Sequence, residues 1–300
     1  MYRILQIAVL IGISSSAISQ QLTISSLYDL QGTLHNPSVV GVGSRTSFGT
    51  SYRSMWNGID ASPRTMLIFG STSINKGRVG IGAYVYNDVT GPTSRKGIQS
   101  AYAYHIPLAN NAFFSVGLEA RVLQFSVDKS MIQASLGNDP IMAGAGTTIK
   151  GDAGLGFSYT GRKLQLGGAV SQLVQSKLNL YSGTLSRTEE ARLYRHFYLN
   201  GSYSWQVDEH TRIIPNLIFI YLPNTPLETQ GGFRVEHREL FWWGLSLRAR
   251  QSWMISAGLN IHKKFMLGYS FDIYSTPLSL FYKGPNAHEM VIKYAMQKNN

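Results

Sequence analysis

The chain has 300 residues, of which 44% are hydrophobic and only 14% are charged, and its formal net charge is +11. The charged share is far below the roughly 25% of an average soluble domain, and the apolar content excludes a disordered chain. The absence of cysteine excludes disulfide frameworks, thiolate metal sites and a cysteine nucleophile. Because the Lys and Arg residues are scattered and form no basic run, the positive charge does not predict nucleic-acid binding.

The first residues have the features of a secretory signal peptide. Arg3 supplies the positive start, residues 4–13 form a short apolar run, and Ala17-Ile18-Ser19 fits the small-x-small rule for cleavage. The apolar run is too short for a membrane anchor. We therefore predict that residues 1–19 are a signal peptide and that the mature chain starts at Gln20 or Gln21.

Residues 20–43 form a leader ahead of the first predicted strand. We expect this leader on the periplasmic side, with its apolar patch at 22–34 forming either a short periplasmic helix or a plug in the lumen. Asn36 and Pro37, with Gly41 close behind, predict a turn, because proline fixes its own φ and forces the preceding residue to be extended. A chain reversal into the first strand is favoured over a direct binding role.

The rest of the chain alternates apolar and polar residues with a period of two, which is typical of strands with one apolar face. In residues 79–86, for example, Val, Ile, Ala and Val alternate with Gly and Tyr. The same alternation is clear in 164–171, 253–261 and 265–272. The second face of these strands is made of Gly, Ser, Asn and Gln rather than charged residues. That pattern favours a barrel with lipid outside and a crowded polar lumen over a soluble sandwich.

We predict an all-β fold, a transmembrane antiparallel β-barrel of about 14 strands that occupies residues 44–300. Such a barrel belongs in a bacterial outer membrane, and an even strand number is the rule for single-chain barrels there. Aromatic residues near strand ends fit the girdles at the two membrane interfaces. The strands are expected near 44–53, 65–74, 78–87, 97–108, 112–125, 148–160, 163–172, 196–206, 212–221, 229–236, 240–248, 253–261, 265–272 and 288–296.

The connections between these strands alternate in length. Every second one is tight, as at 75–77 and 262–264, whereas most of the others are longer, including 88–96 and 126–147. Short periplasmic turns and long external loops produce such an alternation when both termini are periplasmic. A soluble sandwich has no reason to sort its loops in this way.

Two motif-like segments lie at the two ends of the predicted barrel. The first contains Tyr52, Arg53, Trp56, Gly58 and Pro63, and Arg53 is placed to make a cation–π contact with Trp56. We expect this segment to cross the first external loop, and both packing against the rim and ligand contact remain open as its role.

The second segment opens the last strand with His288 and Glu289. A barrel closes by pairing its first and last strands, so both segments should meet at one external edge. Neighbours in a strand point to opposite faces, which argues against a metal or acid–base site built from His288 and Glu289. We predict no catalytic, metal or cofactor site.

The chain resembles the PorP/SprF family of outer-membrane proteins of the type IX secretion system of Bacteroidota. The matching motifs are Asn36-Pro37…Gly41, Tyr52-Arg53-x-x-Trp56-x-Gly58…Pro63-x-Thr65, Arg195-His196-Phe197-Tyr198-Leu199-x-Gly201-x-Tyr203 and His288-Glu289-Met290…Tyr294. The resemblance implies a barrel that serves secretion or surface attachment of proteins with a C-terminal sorting domain. Some members of the family work with a gliding adhesin, and others connect to a periplasmic, peptidoglycan-associated partner.

Three functions remain open at this point. The leading one is a non-enzymatic barrel in the outer-membrane lipid that binds or anchors exported proteins, and the first alternative is a porin or small-solute channel. Few charged residues are expected in the lumen, which favours a filled barrel over a wide channel. A barrel enzyme is the third, and it is disfavoured because the sequence lacks a nucleophile signature such as G-x-S-x-G.

Overall fold

The computed structural model describes residues 25–43, 45–56, 58–136, 146–178, 192–223, 225–262, 264–275 and 286–297. The predicted signal peptide, 1–19, lies outside these residues. Within them the chain is almost entirely antiparallel β-structure, with three short 3-10 turns ahead of the first strand, a fourth at Ala109–Asn111 and one α-helix, α1 (Lys129–Leu136). No helix in the described part of the chain is long and apolar enough to cross a membrane.

The strands are β1 (Arg45–Met55), β2 (Arg64–Ile74), β3 (Val79–Thr90), β4 (Thr93–Pro107), β5 (Phe113–Val127), β6 (Thr147–Thr160), β7 (Leu164–Ser171), β8 (His196–Tyr203), β9 (Trp205–Gln206), β10 (Thr211–Tyr221), β11 (Glu228–His237), β12 (Phe241–Arg248), β13 (Ser252–Ile261), β14 (Phe265–Tyr274) and β15 (Asn286–Gln297). The two-residue β9 continues β8 beyond Ser204, and both pair with β10. The described residues therefore form a barrel wall of fourteen strands.

The wall is closed into a barrel. Each strand pairs antiparallel with its neighbour in sequence, and β1 pairs with β15 along its whole length, from Arg45 opposite Gln297 to Met55 opposite Ala287. Closure removes the free sheet edges that would otherwise expose unpaired backbone groups to lipid. The predicted fold class and all fourteen predicted strands are confirmed.

The two faces of the wall differ as the alternation in the sequence predicts. Ile81 and Val85 of β3 are exposed on the outside, whereas Tyr84 is buried on the inside. On β13, Trp253, Ile255 and Leu259 likewise project outward. An exposed apolar outer face is stable in hydrocarbon but not in water, so the barrel is built to stand in a membrane.

The long connections all leave one end of the barrel, which we call the long-loop end, and the other end, the turn end, has tight connections only. One predicted long loop is wrong: residues 88–96 belong mostly to β3 and β4, which meet in a tight turn at Gly91 and Pro92. Gly91 adopts a positive φ of 56° there. The polar residues suggested a loop, but they extend the hairpin, where Arg95 forms an ion pair with Asp88.

The loop after β5 contains α1. The carboxylate of Asp128 accepts hydrogen bonds from the hydroxyl and the backbone N–H of Ser130 and from the backbone N–H of Met131. These bonds, the one from the Ser130 hydroxyl above all, lower the pKa of Asp128. They also satisfy N–H groups that a helix leaves unpaired at its start.

Candidate functional site: the filled lumen and the rim

The leader passes through the inside of the barrel. Ser26 lies near the long-loop end, where it contacts strand residues of β1 and β14, and Val40 lies near the turn end, where its carbonyl accepts a hydrogen bond from His105 of β4. The sequence left two structures open for the leader, a short periplasmic helix or a plug in the lumen. The described residues 25–43 lie inside the lumen. We call this segment the plug.

At the long-loop end the plug is held by a group of buried charges. Arg53 is 2% exposed and places its guanidinium 2.7 Å from Asp272 and 3.2 Å from Glu289. These two carboxylates are themselves almost fully buried. We call Arg53, Asp272 and Glu289 the charge cluster; its members come from β1 and β15, which close the barrel, and from the adjacent β14.

The plug donates the shortest of the further hydrogen bonds to the charge cluster. The Ser25 hydroxyl donates to Glu289 at 2.6 Å, the Ser26 backbone N–H donates to the same carboxylate at 2.7 Å, and the Ser26 hydroxyl donates to Asp272 at 2.8 Å. Buried carboxylates are stable only when they are paired and hydrogen-bonded. The charge cluster and the plug therefore stabilise each other.

Near the turn end the plug lies against a wall of small residues. An added Cβ at Gly117 would come within 2.4 Å of the Ser38 backbone nitrogen, and one at Gly156 within 2.2 Å of Asn36 Oδ1. At Gly80 the added Cβ would lie 1.8 Å from the Val40 carbonyl oxygen. We call Gly80, Gly117, Gly156 and the adjacent Gly167 of β7 the glycine seat.

The turn that the sequence predicts at Asn36 and Pro37 rests on this seat. Asn36 donates to the carbonyls of Phe157 and Gly168 on neighbouring strands, at 3.0 and 3.4 Å, and its own side-chain oxygen accepts from the backbone of Ser38. Pro37 begins a 3-10 turn that Asn36 caps. Gly41 ends the turn with a φ of +70°, close to the backbone of β2 and β3.

Between the charge cluster and the glycine seat the plug leaves part of the lumen open. Asp29 pairs with Arg234 of β11, whose guanidinium also lies over the ring of Trp242, and Tyr28 donates to Asn216 of β10 at 2.6 Å. Beside these contacts lies a cavity of about 440 Å³ in the turn half of the barrel. His35 Nε2 and Asn200 Oδ1 are buried at this cavity without a hydrogen-bond partner.

The residues of the first motif segment that follow Arg53 lie in the first loop rather than in the lumen. Trp56, with a φ of +55°, donates its backbone N–H to the Asn286 carbonyl at 2.8 Å, so the first loop is tied to the start of β15. The Pro63 carbonyl accepts from the Met55 N–H, and Gly58 is exposed with a φ of +97°. Tyr52 projects outward from β1.

The structure does not support the predicted contact between Arg53 and Trp56. Strand alternation turns Arg53 into the lumen, where Asp272 and Glu289 attract its charge more strongly than a rim aromatic ring could. Arg53 is therefore a residue that holds the plug, and Trp56 alone of the two stands at the rim.

The two motif segments lie side by side, with Arg53 opposite Glu289 and Ser54 opposite His288. Glu289 points into the lumen, whereas His288 lies on the outer side and contacts the Tyr269 hydroxyl at 2.6 Å. The described residues contain no group of three or more His, Asp or Glu side chains that could hold a metal ion.

Sequence reasoning missed Asp272 and the glycine seat. Asp272 is a lone acid in an alternating strand, and its inward position on β14 is the signal that could have paired it with Arg53. The glycines were interpreted as general lumen residues, and only the path of the plug shows what they accommodate.

A closed wall with an apolar exterior and a polar, filled interior defines an outer-membrane β-barrel. The chain matches the model of the type IX secretion system membrane protein PorP/SprF over residues 17–294. It belongs to this family and is located in the outer membrane.

Solved structures with the same fold include two channels and an outer-membrane protein. The CymD monoaromatic hydrocarbon channel is 9% identical, with a TM-score of 0.52 over 90% of this chain and 93% of that one. Omp33 of Acinetobacter baumannii is 8% identical, with a TM-score of 0.50 over 85% and 100% of the two chains. The toluene transporter TodX of Pseudomonas putida is 9% identical, with a TM-score of 0.50 over 88% and 92%. At these identities the likeness concerns the fold alone, and no curated protein matches the chain.

Proposed function

We propose that this barrel is a non-enzymatic scaffold of the type IX secretion system that binds secreted proteins at its long-loop end and retains them at the cell surface. The proposed partners are proteins with a C-terminal sorting domain or surface adhesins. A periplasmic, peptidoglycan-associated protein is the proposed partner at the turn end.

The observation that carries this proposal is the filled lumen. Residues 25–43 run from the charge cluster to the glycine seat and are hydrogen-bonded to the wall at both places. A barrel whose interior is occupied by its own chain offers its rim and loops, rather than a wide pore, for interaction with other proteins. Family membership supports a role within the secretion system.

A small-solute channel is the second candidate, and the cavity of about 440 Å³ beside the plug is the observation that favours it. The cavity lies in the turn half, whereas the charge cluster occupies the long-loop end. A solute path would therefore need the plug to move at that end.

Affinity purification of the intact protein from outer membranes, followed by mass spectrometry, tests the scaffold. We expect a protein with a C-terminal sorting domain to co-purify at a fixed ratio. Absence of such a protein, together with stepwise conductance of the purified barrel in planar bilayers, would favour the channel instead.

A further inference from the structure

The membrane-facing side of the barrel carries very few charged groups. Among the Lys and Arg side chains that the structure describes on strands, only Arg64 of β2 and Lys96 of β4 lie on this side, and both are exposed. The others face the lumen, including Lys150 of β6, which lies opposite the buried Leu123 of β5. A lipid-facing cation is unfavourable except near the membrane interface, so these two residues mark the interface at the long-loop end.

Arg64 and Lys96 lie close to one another. Arg64 pairs with Val89 of β3, and Lys96 pairs with Asn87, two residues away on the same strand. The two cations are thus separated by two strand spacings, about 10 Å across the sheet, and by two residues along it, about 12 Å in all. Arginine and lysine side chains are long enough to converge on one anionic group from that separation.

From the level of Lys96 downward, the strand register forms two rows of outward-facing residues. The upper row is mixed: Met66, Asn87, Lys96, Gln124 and Ile149 stand next to one another. The lower row contains Ile68, Val85, Ile98 and Val122, all of them aliphatic and exposed. Together the rows line a groove of about 450 Å³ on the outer surface.

The groove therefore has a cationic and amide-bearing top and an aliphatic floor. Phosphate oxygens accept charge-assisted hydrogen bonds from Lys and Arg, and acyl chains fit an aliphatic surface. We propose that Arg64, Lys96 and the groove below them bind a phosphorylated glycolipid of the lipid A type. Its phosphate contacts the two cations, and one of its acyl chains lies along Ile68, Val85 and Ile98.

Native mass spectrometry of the folded protein in detergent tests this site with three probes: lipid A, enzymatically dephosphorylated lipid A, and phosphatidylethanolamine. We expect the wild-type protein to retain lipid A roughly tenfold more strongly than the dephosphorylated form, because the phosphate supplies charge-assisted bonds. The double variant Arg64→Gln with Lys96→Gln should lose that preference, and each single variant should lose part of it.

Lys150→Gln is the matched control, because it removes one positive charge from nearly the same height but from the lumen side. It should keep the preference. The proposal is overturned if the wild type does not distinguish the three probes, if the double variant keeps its preference, or if Lys150→Gln loses as much. Heat-modifiable migration on a gel verifies that each variant is folded.

Discussion

At the scale of single residues, Arg53 is the side chain on which the buried charges depend. It is the cation closest to Asp272 and Glu289, and all three are almost completely removed from solvent. Arg248 also approaches Asp272, but at 3.7 Å. Removal of one partner from a buried ion pair leaves an uncompensated charge, which is far more unfavourable than the loss of a surface pair.

We therefore predict that Arg53→Met destabilises the folded barrel by about 3–5 kcal/mol. Urea unfolding in detergent micelles measures this change. Arg212→Met is the comparison, because Arg212 is partly exposed and its partner Glu236 keeps an ion pair with Arg234, so the loss should be about 1 kcal/mol or less. Equal stabilities of the two variants would contradict the role assigned to Arg53.

The glycine seat gives a second prediction at this scale. Gly156→Ala would place a methyl group within 2.2 Å of Asn36 Oδ1 and should displace the turn, whereas Gly70→Ala has its nearest neighbour at 3.6 Å and should not. Since the chain has no cysteine, Ser38→Cys can report the displacement. Ser38 is fully buried, so this thiol should resist maleimide in the parent protein and in Gly70→Ala, and react in Gly156→Ala. Equal protection in both variants would argue against the seat.

How far the sequence predicts a site depends on whether its residues are local. The turn at Asn36 and Pro37 is predictable because proline restricts the backbone around itself. The pairing of Arg53 with Asp272 is not, since it joins residues 219 positions apart and depends on which strands close the barrel and on where the plug runs. The facing of Arg53 could have been inferred from strand alternation, but its nearness to Trp56 in sequence suggested a rim contact instead.

At the scale of elements, the strands were predictable because each must alternate lipid-facing and lumen-facing side chains. The hairpin of β3 and β4 was predicted too short because its last residues are mostly polar and do not continue the apolar alternation. The plug has no such periodicity. Its path is set by contacts with at least eight strands, and no local pattern encodes them.

Deletion of residues 25–42 should convert the barrel into a channel. The deletion removes the chain that occupies the lumen, while the pairing of β1 with β15 that closes the wall remains. Single-channel recording in planar bilayers should show frequent steps of stable size for the deletion variant and none of that size for the full-length protein. Large steps from the full-length protein would mean that the plug does not seal the lumen.

At the scale of the whole molecule, the barrel presents two chemically different ends. The long-loop end contains the loop of Trp56, Gly58 and Pro63, which is tied to the start of β15. The turn end has short connections only. If exported proteins bind at the long-loop end, a change to the half-buried Trp56 of its first loop should weaken retention without disturbing the barrel.

Trp56→Ala should reduce the amount of sorting-domain protein held at the surface, with an affinity loss of roughly 2 kcal/mol if Trp56 is an interface anchor. Quantitative surface proteomics of cells that produce the variant measures the loss. Trp205→Ala is the control, because Trp205 is exposed on β9 near the turn end. Unchanged surface proteins in Trp56→Ala would remove this residue from the binding surface.

The central claim is that the barrel is filled by its own N-terminal segment, and a disulfide tests it most directly. The hydroxyl oxygens of Ser38 in the plug and Ser158 on β6 are 2.8 Å apart. In the double variant Ser38→Cys with Ser158→Cys, purified from the outer membrane and oxidised, peptide mass spectrometry should find the two positions joined within one chain. Two free thiols that react readily with maleimide would show that the segment lies outside the barrel and would contradict the account.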